Sequence, residues 1–237
     1  MKELQNIIDN AKKIVFFGGA GVSTESNIPD FRSTDGLYNQ VYDYPPETIL
    51  SHGFFKRNPE EFFKFHRDKM IALWAKPNKA HIKLAEMEKK GKLIGVITQN
   101  IDGLHQMAGS QNVMELHGSV HRNYCTACGA FYDASYIKNS EGIPKCEKCG
   151  GMIKPDVVLY DEQLDMHTID RAIDAIAEAD TMIVAGTSLT VYPAAGLLRY
   201  FRGKNLVLIN RDETSMDYMA TLVIHDKVGE VLDKIKL

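Results

Sequence analysis

The chain has 237 residues, 44% of them hydrophobic, enough to bury the core of one large domain or of one domain carrying an insert. Its 28 lysines and arginines against 31 aspartates and glutamates leave a net charge of −3, so no global field draws it to nucleic acid or to a membrane. No apolar run approaches the roughly 20 residues that span a bilayer, and the opening Met1-Lys2-Glu3-Leu4-Gln5-Asn6 lacks the apolar stretch of a signal peptide, so a cytoplasmic protein is expected.

The first predicted element is a buried strand over Ile14, Val15, Phe16 and Phe17, which runs into Gly18-Gly19-Ala20-Gly21-Val22-Ser23-Thr24. Glycines at a strand end let the backbone approach a ligand. A helix starting there aims free N–H groups at an anion, which would set Gly19, Ala20, Gly21 and Thr24 along a pyrophosphate. The same glycines also fit a plain strand-to-helix corner. The dinucleotide fingerprint G-x-G-x-x-G breaks at its third glycine, where Thr24 stands, and no acidic residue closes a second strand about 20 residues on. The loop continues as Ile28-Pro29-Asp30-Phe31-Arg32, so a hydride-transferring dehydrogenase is not the natural inference.

Residues 36–76 are rich in aromatics, from Tyr38, Tyr42 and Tyr44 through Phe62, Phe63 and Phe65 to Trp74, and read as a small helical module. Helices are predicted over Lys79–Lys90, ended by Gly91, and over Met166–Ala179; strands are predicted over Leu93–Thr98, Thr181–Ala185, Leu206–Ile209 and Leu222–Ile224. This alternation implies an α/β fold, a parallel sheet with helices on both faces, and ligands beyond the strand carboxyl ends. Gln99, Asn100 and Asp102 follow one such end, where amides and a carboxylate either hold ribose hydroxyls or a carboxamide, or cap the next helix. Gly186-Thr187-Ser188 and Asn210 are further polar strand ends, and together they suggest a long ligand such as a dinucleotide. Among eight histidines, His117 is the candidate base, because Gly118 beside it leaves room for a substrate.

The four cysteines form Cys125-x-x-Cys128 and Cys146-x-x-Cys149, a spacing that presents two thiolate knuckles to one zinc ion. Four sulfur ligands leave no open position, so the metal is structural and staples residues 122–154, which are too few for a core of their own. A nucleic-acid-binding ribbon is the other reading, but Lys138, Lys145, Lys148 and Lys154 alternate with Asp133, Glu141 and Glu147.

Taken in order, GAGVS with IPDFR, TQNIDGLH, LHGS, the two CxxC pairs, KPDVVLYDE, GTSLTVYPAA and LIN resemble the sirtuins, NAD-dependent protein lysine deacylases, over nearly the whole chain. The resemblance implies a Rossmann-type NAD domain from 1–35, 77–121 and 155–237, and a smaller discontinuous domain from the 36–76 helical module and the 122–154 zinc module. Ala20, Gly21, Thr24, Asp30, Phe31 and Arg32 would form the cofactor loop. Gln99, Asn100, Ile101 and Asp102 would surround the nicotinamide and its ribose, and Gly186, Thr187, Ser188, Asn210 and Lys227 the adenosine half. His117 becomes the general base, with Asn100 and Asp102 completing the catalytic set. Val157, Val158, Tyr160, Asp161 and Glu162 would lie extended and pair with the backbone of an acyl-lysine peptide. The implied reaction joins the amide oxygen of acetyl-lysine to ribose C1′ as nicotinamide leaves, and ends in free lysine and O-acetyl-ADP-ribose, with zinc taking no part. The alternative chemistry on the same cofactor is protein mono-ADP-ribosylation. Acetylated proteins are the expected partners of a monomer that meets neither nucleic acid nor membrane.

Two positions depart from the sirtuin pattern. Asn27 stands where glycine is common, and asparagine tolerates positive φ. Asp161 replaces the glycine of a Phe-Gly-Glu run and adds a carboxylate beside the peptide channel, which implies slower turnover or a preference for basic flanking residues. In place of the Tyr-x-x-Arg pair of sirtuins that remove succinyl or malonyl groups stands His66-x-x-Lys69, which lacks a bidentate carboxylate clamp and implies neutral acyl groups.

Overall fold

The computed structural model describes residues 1–31, 36 and 43–237. Arg32, Tyr38 and Tyr42, named above, lie outside the described residues.

Helix α1 (Lys2–Asn10) leads into strand β1 (Ile14–Gly18), all five residues of which are buried, as a central strand covered on both faces requires. The chain continues through α2 (Pro46–Ile49), α3 (His52–Arg57) and α4 (Pro59–Phe65) to α5 (Lys79–Lys89), β2 (Leu93–Thr98), α6 (Leu104–Ala108) and β3 (Val113–Glu115). Next come β4 (Gly118–Cys125), β5 (Phe131–Tyr132), α7 (Ala134–Asn139) and β6 (Ile153–Val157). Last are α8 (Met166–Glu178), β7 (Thr181–Ala185), β8 (Asn205–Ile209), β9 (Leu222–Ile224) and α9 (Val228–Asp233). Six parallel strands run in the order β3-β2-β1-β7-β8-β9, and β5-β4-β6 form a separate antiparallel sheet.

The amphipathic patterns decide which face each helix covers. Leu4 and Ile8 of α1, Leu84 and Met87 of α5, and Val231 and Leu232 of α9 pack on one face of the large sheet; Ala172 and Ile176 of α8 pack on the other. The α5 start is capped by Asn78, whose side chain accepts from the Ala80 N–H, and its end is marked by Gly91 at φ 72. Asp165 caps α8 in the same way.

The third core joins the two modules of the smaller domain. Phe54, Phe55, Phe62, Phe63 and Ile71 pack with Tyr132, Ile137, Ile153 and the buried Cys125 and Cys146. The antiparallel pairing runs from Gly118 with Val157 to Cys125 with Ile153, so this sheet extends beyond the 122–154 span on both sides. Strand β3 and the antiparallel sheet are not legible in the sequence, because three residues of β3 carry no resolvable period and β4 alternates irregularly in burial.

Three histidines outside the cleft are buried. Burial holds His66 down to about 3 and His81 down to about 4, and pushes His105 well below its ordinary value. Each therefore contributes stability that is complete above pH 6.5, where the unfolded imidazole is neutral too, and is lost as pH falls toward the folded values. Urea midpoints should drop steeply between pH 6.5 and 4.5, and His66→Phe should flatten that slope.

Candidate active site

The carboxyl ends of β1, β2, β7 and β8 open onto one cleft of about 460 Å³ between the large sheet and the smaller domain. Ala20, Gly21, Thr24, Asp30 and Phe31 line it, as do Gln99, Asn100, Ile101, Asp102 and His117. So do Gly186, Thr187, Ser188, Asn210 and Lys227 on one side and Val157, Val158, Tyr160, Asp161 and Glu162 on the other. The tertiary structure thus brings to one cleft every described residue assigned above to the catalytic, cofactor and peptide sets, with the four cysteines outside it.

The glycine loop is not the start of an α-helix, as the anion-site argument assumed. Two short 3₁₀ turns, Ala20–Val22 and Thr24–Ser26, follow β1, with Asn27 closing the second at φ 62. The glycines serve instead to let two strand ends touch. Gly21 N–H donates to Gly186 O at 2.8 Å, and a Cβ built on Gly186, itself at φ 59, would sit 2.4 Å from Val22 N. A backbone atom cannot yield as a side chain can. Gly186→Ala should therefore prise the loops apart, cost about 2–3 kcal/mol of stability, and weaken ADP-ribose binding at least tenfold in a calorimetric titration.

At the end of β2 the polar groups form a connected set. Ser23 Oγ donates to Asp102 Oδ2 at 2.7 Å and receives the Asn100 amide at 3.0 Å. Asp102 Oδ1 accepts from the Leu104 N–H at 2.9 Å in a turn just ahead of the α6 N-cap, Gly103, while the same carboxylate lines the cleft. Gln99 Nε2 donates to Thr187 Oγ1 at 3.0 Å, and the Thr187 N–H to Asn210 Oδ1 at 3.0 Å, which ties three strand ends into one surface. Ser23 was the residue missed: a hydroxyl inside a glycine loop carries no signal until the fold sets it between Asn100 and Asp102.

His117 is half-buried, and its Nδ1 lies 2.9 Å from Gln99 O. A carbonyl only accepts, so the proton of the neutral ring sits on Nδ1 and Nε2 keeps its lone pair. Burial lowers the pKa below its ordinary 6.5 although the Gln99 bond works against that, so the ring is a neutral base at pH 7. Gly118 is glycine for a reason other than leaving room for a substrate. It sits at φ 77, and a Cβ there would lie 2.0 Å from Asp156 O, so glycine is required for the chain to turn from β3 into β4.

The peptide wall also differs from a plain extended segment. Val158 N–H donates to His117 O at 3.0 Å, but Glu162 N–H donates to Leu159 O at 3.0 Å and closes a tight turn with Asp161 at φ 71.

The Sir2 family model matches residues 19–193. This chain belongs to the Sir2 family. An NAD-dependent protein deacetylase of Clostridium perfringens is 61% identical over 99% of this chain and 98% of that protein. One of Clostridium acetobutylicum is 60% identical over 99% and 97%. Among solved structures, a Sir2 homologue in complex with NAD superposes with a TM-score of 0.89 at 41% identity, covering 99% of this chain and 91% of that one. A Sir2 with a deacetylated p53 peptide and 3′-O-acetyl ADP-ribose superposes with a TM-score of 0.91 at 40% identity, covering 98% and 95%.

Two observations test whether this Sir2 chain suits the groups its family uses. Asn210 Nδ2 is buried at the cleft with no partner among the described residues, an orphan donor placed for a polar ligand. The four cysteine sulfurs lie within 4.8 Å of one another, with Cys125 and Cys149 3.4 Å apart and Cys128 and Cys146 3.6 Å apart. Tetrahedral Zn–S bonds of about 2.3 Å put sulfurs about 3.8 Å apart, so the set fits Zn²⁺. Tyr132 O–H donates to Cys146 Sγ at 3.2 Å and supports that ligand from the third core.

Proposed function

We propose that this Sir2 protein removes acetyl groups from protein lysines with NAD as co-substrate, releasing nicotinamide, O-acetyl-ADP-ribose and free lysine. The observation that carries the reading is His117, held by Gln99 O with Nε2 unprotonated, on the same cleft as the Gly21–Gly186 loops and the orphan Asn210 amide.

NAD supplies a ribose carbon activated by a neutral leaving group. The chain's own groups bind, orient and move one proton. Gly19 to Thr24 with Thr187, Ser188 and Lys227 hold the nucleotide. Asn100, fixed through Ser23 to Asp102, orients the ribose end without drifting, because each of its partners is itself hydrogen-bonded. His117 Nε2 accepts a proton from a ribose hydroxyl, and the Gln99 carbonyl stabilises the imidazolium that results. Asp30 is paired with Arg211 at 3.5 Å, and both line the site together with Phe31. Val158 to Asp161 guide the acyl-lysine segment. Zn²⁺, held by Cys125, Cys128, Cys146 and Cys149, maintains the smaller domain and lies outside the cleft lining.

Acetyl-lysine peptide incubated with and without NAD tests this directly. Nicotinamide release coupled to a loss of one acetyl mass supports it; ADP-ribose transferred onto the protein acceptor would instead establish the transferase chemistry.

A further inference from the structure

We propose that Asp161 makes this protein select acetyl-lysines flanked by basic residues; the proposal rests on the deacetylase reading above and names the substrates it favours. The turn that carries Asp161 is fastened from three directions. Tyr160 N–H donates to Leu50 O at 2.9 Å, and His52 N–H donates to Tyr160 O at 2.9 Å, so the turn is locked to the helical module. The Glu162 carboxylate accepts from Leu159 N–H at 2.9 Å, meets Lys154 Nζ at 3.1 Å and faces the His52 ring at 2.8 Å. Its charge is thereby spent inside the wall.

Asp161 is the opposite case. Its side chain is exposed on the cleft and makes no hydrogen bond or ion pair among the described residues. It also sits at φ 71, in the third position of a turn that glycine or asparagine occupies most readily. A strained residue with an uncommitted charge at a binding cleft is a functional signal, because neither the packing nor the turn needs that carboxylate. Of the nearby cations, Lys154 is committed to Glu162, Lys69 to Asp68 and Arg211 to Asp30, and Val191, Tyr192 and Pro193 of the same cleft carry no charge.

The wall's hydrogen-bonding pattern brings a peptide to that carboxylate. The N–H groups of Val158, Leu159 and Tyr160 and the Tyr160 carbonyl are all used internally. The Val158 carbonyl and the Asp161 backbone make no such bonds among the described residues. A strand that pairs here is therefore registered beside Asp161, within range of the side chains next to the acyl-lysine. An exposed charge pair in water is weak and salt-sensitive, which corresponds to a preference of about 1.4- to 5-fold per adjacent basic residue.

The test measures kcat/KM on three matched acetyl-lysine peptides with arginine, alanine or glutamate on both sides of the modified residue, at low and at high salt. The wild-type protein should prefer the arginine peptide over the glutamate peptide by about tenfold at low salt, and the ratio should shrink at high salt. Asp161→Asn keeps a residue that tolerates the left-handed turn while removing the charge; Asp161→Gly also removes the strain. Both should bring the ratio to within about twofold of unity. Equal rates on arginine and glutamate peptides in the wild type, or a ratio that survives Asp161→Asn, overturn the proposal alone. Absence of NAD-dependent turnover on every peptide overturns the deacetylase reading and this proposal with it.

Discussion

Replacing His117 with alanine should lower kcat/KM for acetyl-lysine peptide by 10²- to 10⁴-fold, the span of a lost general base, while ADP-ribose affinity changes by less than about threefold. The separation follows from geometry. The ring's fixed contact is Nδ1 to Gln99 O beyond the end of β2, whereas Thr187, Ser188 and Asn210, the residues proposed for the nucleotide's other half, stand at the ends of β7 and β8. The pH profile supplies a second readout. Since burial lowers the His117 pKa, the base form is complete at pH 7, and activity should stay flat from pH 7 to 8 and decline only below the ordinary histidine value of 6.5. Protonation there occupies Nε2, the one nitrogen that can accept. A variant with near-native turnover, or an acid limb above pH 7, would remove His117 from the chemistry.

Stripping zinc with a chelator, or substituting Cys128 with alanine, should abolish peptide turnover while leaving a folded nucleotide-binding sheet. Zinc binding by such thiolate sets is worth about 10 kcal/mol or more in isolated peptides, far beyond what this small core can replace. The loss spreads because the cysteines are not an appendage. Cys125 and Cys146 are packed in the same core as Phe55, Phe62, Phe63 and Ile71, and that core supports the cleft residues Leu50 and Met70. Two further ties cross between the modules: Arg67 Nη1 donates to Gly142 O at 2.8 Å, and Lys138 Nζ to Arg67 O. Hydrogen exchange should therefore rise in both 46–76 and 118–157 on chelation, with β1, β7 and β8 protected as before. Exchange confined to 122–154, with turnover intact, would show the metal to be local.

Parts of this site were legible early because they depend on local rules. The two CxxC pairs place four thiolates by spacing alone, and the buried runs of β1, β2, β7 and β8 announce strands whose polar ends must meet a ligand. The Asx-rich turn at 99–102 admits two readings in sequence, and the structure shows why they are compatible: Asp102 takes the Leu104 N–H with one carboxylate oxygen and the Ser23 hydroxyl with the other, beside the cleft.

What the chain order determined unaided was therefore the α/β class, the metal staple and the identity of the chemical groups, since periodicity, thiol spacing and strand-end polarity are properties of neighbours in sequence. Only the tertiary structure decided which nitrogen of His117 is the base, why Gly118 and Gly186 are glycines, and that Glu162 is neutralised while Asp161 is not. Each of those depends on a contact between residues distant in the chain, with a carbonyl, a backbone or a lysine brought within about 3 Å, and no pattern of adjacent letters encodes such a distance.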